Sequence, residues 1–80
     1  MAAVDAAVNM AVRKELVEAI NHRIAANGWT QQEAAQRLGV SQPRISHLAR
    51  HQHDRFSVDA LLKIAAAVGL VVEITIREPK

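Results

Sequence analysis

Residues 30–48 read TQQEAAQRLGVSQPRISHL, and this stretch contains the signals for two short helices joined by a tight turn. Thr30 and Glu33 have the spacing of a capping box, in which each side chain satisfies a backbone N–H group at the start of a helix. Gly39 accepts the left-handed backbone that a tight turn requires. Ser41 then suits the N-cap of the next helix. The stretch therefore predicts helix, turn and helix in close succession.

Packing two short helices across a tight turn imposes a requirement on each inward-facing position. Counted from Gln31, the fifth place needs a small residue and has Ala35, while the ninth needs left-handed backbone and has Gly39. The other inward places need apolar residues, and these are Ala34, Leu38, Val40, Ile45 and Leu48. Because these constraints are met together, the sequence predicts a helix-turn-helix from Gln31 to about Arg50.

Signals outside the motif predict a helix before it, a helix after it and a final strand. Asn27-Gly28 suits the end of a first helix, whose apolar residues recur at every fourth position: Val12, Leu16, Ile20 and Ile24. Ser57 can cap a later helix, which Gly69 ends. In residues 70–77 one side of the chain is apolar at every second position, and the positions between are Val71, Glu73, Thr75 and Arg77. This alternation is typical of a strand. We expect residues 1–10 to be flexible or extended.

The predicted strand cannot satisfy its own backbone groups and therefore needs a partner. It could pair with the same strand of a second chain across a two-fold axis, or with an extended segment 1–9 of either chain. An exposed edge strand is the remaining alternative, which the apolar face disfavours. Pairing between chains favours a homodimer. The dimerisation residues would be Leu70, Val72, Ile74 and Ile76.

Composition argues against several classes of protein. The 80-residue chain has no cysteine, so disulfides and thiolate metal sites are excluded. His47, His51 and His53 are close in sequence, but without further ligands we expect no metal, and no cofactor either. No nucleophile paired with a base is recognisable, so we expect no enzyme. No apolar run approaches the ~20 residues of a membrane span, and we expect a cytoplasmic, nucleoid-associated location.

Charge is distributed in a way that suits a nucleic acid partner. The net charge is only +2. Residues 31–55 nevertheless contain more arginine than acidic side chains, which is compatible with phosphate binding.

Residues 30–48 resemble the Cro and lambdoid-repressor type of helix-turn-helix, often called the XRE family. Downstream, FSVDALL at 56–62 and VGLVVEI at 68–74 resemble a subgroup of short regulators, which are often antitoxins of the HigA type. The resemblance covers roughly Arg13 to Arg77. It implies a mainly α, lambda-repressor-like fold with four helices and a C-terminal β-strand for dimerisation. Residues 11–69 would then be the DNA-binding domain, with its motif at 30–50, and residues 70–77 the dimerisation strand.

In this family the third helix lies in the major groove of double-stranded DNA with its N-terminal residues over base edges. The resemblance implies base contacts by Gln42, Pro43, Arg44, Ser46 and His47. Glutamine suits adenine and arginine suits guanine, since each can form paired hydrogen bonds with that base. Pro43 departs from the polar residue often found there in phage repressors, and could contact a thymine methyl group. Phosphate contacts are implied for Thr30, Gln31, Arg50 and Arg55.

Two functions are compatible with these features. The first is a repressor that binds a near-palindromic operator as a homodimer, with half-sites ~34 Å apart or a multiple of that distance. The second is an antitoxin that binds and neutralises a toxin protein while repressing its own operon. A reading frame of toxin size beside the gene would favour the antitoxin. A domain that has lost DNA binding is a third alternative.

Overall fold

Helices account for most of the chain in the computed structural model, which describes residues 2–79 and the side chains of residues 7–79. The described part contains α1 (Ala2–Asn27), α2 (Gln31–Leu38), α3 (Gln42–Ala49) and α4 (Val58–Ala67). A 3₁₀ turn, His53–Arg55, connects α3 to α4. The four predicted helices are therefore confirmed. None of these helices combines the length and apolar character that crossing a membrane requires.

The predicted caps are present at the start of the three shorter helices. Thr30 Oγ1 accepts a hydrogen bond from Glu33 N at 3.1 Å, and Thr30 N donates to Glu33 Oε1 at 3.1 Å. This reciprocal pair is the capping box that the sequence predicts. Ser41 Oγ accepts from Arg44 N at 3.3 Å, and Ser57 Oγ accepts from Ala60 N at 3.1 Å. These caps determine where the helices of the motif begin.

The turn between α2 and α3 depends on Gly39, which has a φ of 68°. Val40 N then donates to Ala35 O at 3.1 Å, which satisfies a carbonyl at the end of α2. α3 ends in the same way, but with His51 at a φ of 57° in the place of a glycine. Gln52 N donates to His47 O at 3.0 Å and closes that end.

A single apolar core holds α1 against α4 and against the two helices of the motif. All the apolar positions predicted to face inward in the motif are buried except Val40, which is partly buried and packs on the core. Phe56 enters the core from the segment between α3 and α4, with 2% of its surface exposed. The fully buried large side chains are Val17, Ile20, Ile45, Leu48 and Leu61. α2 and α3 are thereby fixed on one scaffold.

The N-terminal segment differs from the prediction for residues 1–10. Helix α1 begins at Ala2, whereas the sequence predicts a flexible or extended segment there; Met1 lies outside the described residues. The segment lacks apolar periodicity but is rich in alanine, which has the highest intrinsic helix propensity. Extending an existing helix also avoids the cost of nucleation. Propensity rather than an amphipathic pattern therefore explains this part of α1.

The C-terminal tail, residues 70–79, has no regular secondary structure, so the predicted strand at 70–77 is not found in the described chain. The alternating pattern is present in the sequence, but a strand forms only where a neighbouring strand satisfies its backbone groups. Leu70 packs against the core, whereas Ile74 and Ile76 are 76% and 90% exposed. The single chain therefore provides no pairing for this segment.

Candidate nucleic-acid interface

The first turn of α3 presents the exposed residues of the motif. Ile45 and Leu48 anchor α3 in the core with 2% and 0% of their surfaces exposed. At about 100° per residue, Pro43 and His47 lie on the face of the helix opposite these anchors. Gln42 and Pro43 are exposed at the start of the helix. The first turn of α3 is therefore accessible to a ligand.

Three of the predicted base-contact residues are less exposed than Gln42 and Pro43. Arg44, Ser46 and His47 are each half-buried. The Nδ1 atom of His47 is buried without a hydrogen-bond partner. Nε2 is therefore the ring nitrogen that His47 can offer to a ligand.

The side chain of Arg44 is turned onto the protein. Its Nη1 atom donates a hydrogen bond to Arg55 O at 3.1 Å. Its Cζ atom lies 4.2 Å from the centroid of the Phe56 ring, within the range of a cation–π contact. The Arg44 guanidinium is therefore engaged within the protein, unlike the exposed side chains of Gln42 and Pro43.

At the start of α2, the carboxylate of Glu33 is bound close to the residues that are predicted to contact phosphate. Thr30 lowers the pKa of the Glu33 carboxyl below its usual value, chiefly through a hydrogen bond from its backbone and then through one from its hydroxyl. The positive charge of Arg37 lowers this pKa by a smaller amount. The Glu33 carboxylate thus occupies the backbone N–H group of Thr30. Of the two residues predicted here for phosphate contact, Gln31 is exposed and has no such engagement among the described contacts.

The predicted phosphate contacts after α3 are accessible. Arg50 and Arg55 are both exposed, at the C-terminal end of α3 and within the 3₁₀ turn. Next to them is a shallow cavity of about 280 Å³, which is lined by Lys14, Val17, Glu18, His51 and His53. Lys14 adds a positive charge from α1 that local sequence patterns do not predict. The tertiary fold therefore brings one cation and one anion of α1, Lys14 and Glu18, beside residues 51–53, which lie between Arg50 and Arg55 in the chain.

Asn21 is a further residue of the site that sequence reasoning missed. Its Nδ2 atom donates to Leu48 O at 2.7 Å, so α1 satisfies a carbonyl at the end of α3. The two residues are 27 positions apart. The only local signal is a polar residue beside the apolar positions Ile20 and Ile24 of α1. Together with the Arg44 contacts, this hydrogen bond holds α3 near both of its ends.

Comparisons with known proteins agree with this geometry. A family described as "Helix-turn-helix domain" matches residues 3–77, which include all of α1 after Ala2 and most of the C-terminal tail. A solved structure of a protein assigned to the XRE family of transcriptional regulators is similar, with a TM-score of 0.82 and 34% identity. The match covers 89% of this chain and 80% of that chain. No curated protein gave a match.

Proposed function

We infer that this chain, which belongs to the XRE family of helix-turn-helix transcriptional regulators, binds double-stranded DNA in the major groove and represses transcription from its operator. One observation carries the proposal. The exposed first turn of α3 stands on a helix whose opposite face is buried in a core shared with α1 and α4. A recognition helix needs such a rigid support to present its side chains in one register.

Base reading is proposed for the outer face of α3. Gln42 can form two hydrogen bonds with an adenine, and a well-placed pair contributes about 1–3 kcal/mol of discrimination. Pro43 has no side-chain donor and suits contact with a thymine methyl group. His47 and Ser46 can contribute single hydrogen bonds from the next turn. Arg44, whose guanidinium is engaged within the protein, is left out of this group.

Phosphate binding is proposed for the exposed residues around this face. Gln31 lies at the N-terminus of α2, where backbone N–H groups favour an anion. Thr30 can contribute only its hydroxyl, because its backbone N–H group is used by Glu33. Arg50 and Arg55 supply positive charge at the other end of α3, and Lys14 adds to it. These contacts position the protein without reading sequence.

Homodimerisation is proposed through the C-terminal tail. The tail alternates apolar residues and leaves them accessible, with Ile76 90% and Ile74 76% exposed. Pairing two tails about a two-fold axis would satisfy the backbone groups that face each other and bury one apolar face, formed by Leu70, Val72, Ile74 and Ile76. Two copies of α3 would then meet half-sites ~34 Å apart or a multiple of that distance, so the operator would be a near-palindrome.

A binding assay on the DNA upstream of the gene tests the proposal. We expect Gln42→Ala to weaken binding to the operator about 5- to 150-fold while changing binding to scrambled duplex little. Gln31→Ala should weaken binding to both duplexes alike, because it removes a phosphate contact. Gln36→Ala, at an exposed position later in α2, is the matched control and should leave both affinities unchanged. Operator binding that neither Gln42→Ala nor Gln31→Ala alters would contradict the groove assignment.

The exposed tail also fits a second candidate function, an antitoxin that binds a toxin protein while repressing its own operon. An extended apolar segment can add to the sheet or groove of a partner as readily as to a second copy. Co-expression with the neighbouring reading frame, followed by purification under binding conditions, tests this function. A stable complex that no longer forms when residues 70–79 are deleted would support the antitoxin function. Separate elution of the two proteins would exclude this function for that pair.

A further inference from the structure

Arg44 occupies the third position of α3, one helical turn before His47. Both described contacts of its side chain are with the segment that follows α3: a hydrogen bond to Arg55 O at 3.1 Å and the stacking contact with Phe56 at 4.2 Å. Reaching a base would break both contacts and uncover one face of the Phe56 ring. The conformation of Arg44 is thus part of the packing that joins α3 to the segment before α4.

The segment that Arg44 holds is attached to a second helix as well. Arg13 Nη1 of α1 donates to Phe56 O at 3.4 Å, so two arginines from different helices bind consecutive carbonyl groups. The Phe56 ring is buried in the core. Arg44 therefore connects the exposed turn of α3 to a part of the chain that is itself fixed by α1.

We propose that Arg44 is a positioning residue, which sets the orientation of the first turn of α3 so that Gln42 and His47 meet their bases, and does not itself contact a base. This inference depends on the proposed DNA binding through α3. Without the contacts of Arg44, the N-terminal end of α3 keeps its serine cap but loses its attachment to residues 55–56. The orientation of every residue that reads a base would then be less well defined.

The test compares Arg44→Ala with the natural chain on the operator and on duplexes that each change one base pair. A positioning role predicts about tenfold weaker binding to the operator by Arg44→Ala. It also predicts that every single base-pair change lowers the affinity of this variant by less than it lowers that of the natural chain. A direct contact predicts instead that changing one particular base pair no longer lowers the affinity of Arg44→Ala, while the other changes lower it as much as in the natural chain. That result would overturn the proposal. Circular dichroism at the assay temperature establishes that each variant is folded before its binding is compared.

Salt dependence and two further variants complete the test. If Arg44 bound a phosphate, the slope of log K against log salt would fall by about 0.9 in Arg44→Ala, and this too would overturn the proposal. Arg44→Lys retains the charge but not the planar stacking group, so we expect it to bind as weakly as Arg44→Ala. Tight binding by Arg44→Lys would show that charge alone suffices and would count against positioning.

Arg37→Ala is the matched control, because the Arg37 guanidinium also stacks on an aromatic ring, that of Trp29, at 5.0 Å. Arg37 lies at the end of α2 and makes no described contact with residues 55–56. Each single base-pair change should therefore lower the affinity of Arg37→Ala as much as it lowers that of the natural chain. Failure of the proposed function would look different. In that case the natural chain would bind no duplex above scrambled DNA, or Gln42→Ala would bind as tightly as the natural chain.

Discussion

At the scale of single residues, His51 is the described residue whose backbone conformation least suits its residue type. It has a φ of 57°, in the left-handed region that favours glycine, and no other non-glycine residue of the described chain has a positive φ. The three other helices end with a glycine in this conformation. His51 is exposed, and its ring lines the cavity beside Lys14. The imidazole therefore lies beside Lys14 on a backbone conformation that has an energetic cost for a residue with a Cβ atom.

His51→Gly should stabilise the fold by roughly 1 kcal/mol, because glycine adopts the left-handed conformation without the steric penalty of a Cβ atom. In urea unfolding, the midpoint should rise while the slope with denaturant stays the same. Ala49→Gly is the control, since Ala49 is exposed two positions earlier in α3 and does not have a positive φ, so glycine there should lower the midpoint. A midpoint that falls in His51→Gly would show that contacts of the imidazole outweigh the backbone strain.

At the scale of elements, α2 depends on the capping box at its start. Thr30 and Glu33 exchange two hydrogen bonds. The bond that Thr30 N donates to the carboxylate, and then the Thr30 hydroxyl, lower the pKa of the Glu33 carboxyl below its usual value of 4.5. Since the folded pKa is the lower one, the ionised box stabilises the folded chain fully above pH 4.5. That contribution is lost as the pH falls through the folded pKa. The beginning of α2 therefore loses stabilisation in acid.

Glu33→Gln keeps an acceptor for Thr30 N but removes the ionisable group. We expect the natural chain to be more stable than Glu33→Gln at pH 7, and this difference to shrink in a urea series taken from about pH 6 to pH 3. Thr30→Ser, which retains the hydroxyl, should behave like the natural chain. A difference that stays constant across the series would show that ionisation of Glu33 does not contribute.

At the scale of the whole molecule, the exposed apolar side chains are confined to the two ends. Among the described residues, the large apolar side chains that are exposed belong to the start of α1 and to the tail: Val8, Met10, Val71, Val72, Ile74 and Ile76. The body between them exposes none. A domain this small buries only ~60% of the surface that its unfolded chain exposes, so burial of the ends in a dimer would add substantially to stability.

Ile74→Asp should convert the proposed dimer into a monomer, because it places a charge on the face that two paired tails would bury. Sedimentation equilibrium over a range of protein concentrations measures the association. Thr75→Asp adds the same charge to the neighbouring position, on the other face of an extended chain, and should leave the dimer intact. A dimer that persists in Ile74→Asp would place the interface elsewhere, and equal losses in both variants would argue against a paired strand.

Much of the motif could be predicted from the sequence because its determinants are local. The Thr30 capping box, the serine caps, the turn at Gly39 and the buried positions follow from spacings of a few residues. Such short-range rules do not depend on contacts with the rest of the chain. The same rules were insufficient at residues 2–10, where no periodicity marks the helix, and at the tail, where alternation predicts a strand that needs a partner.

The composition of the candidate site was decided by the tertiary structure. Arg44 has the sequence position of a base-reading residue, but its guanidinium is bound by groups 11 and 12 residues away, brought within reach when Phe56 enters the core. Asn21 reaches α3 across 27 positions. By itself the sequence determined which segment forms the recognition helix. Which of its side chains are exposed and which are engaged within the protein depends on the packing of α1 and Phe56, because these contacts join positions that no local pattern relates.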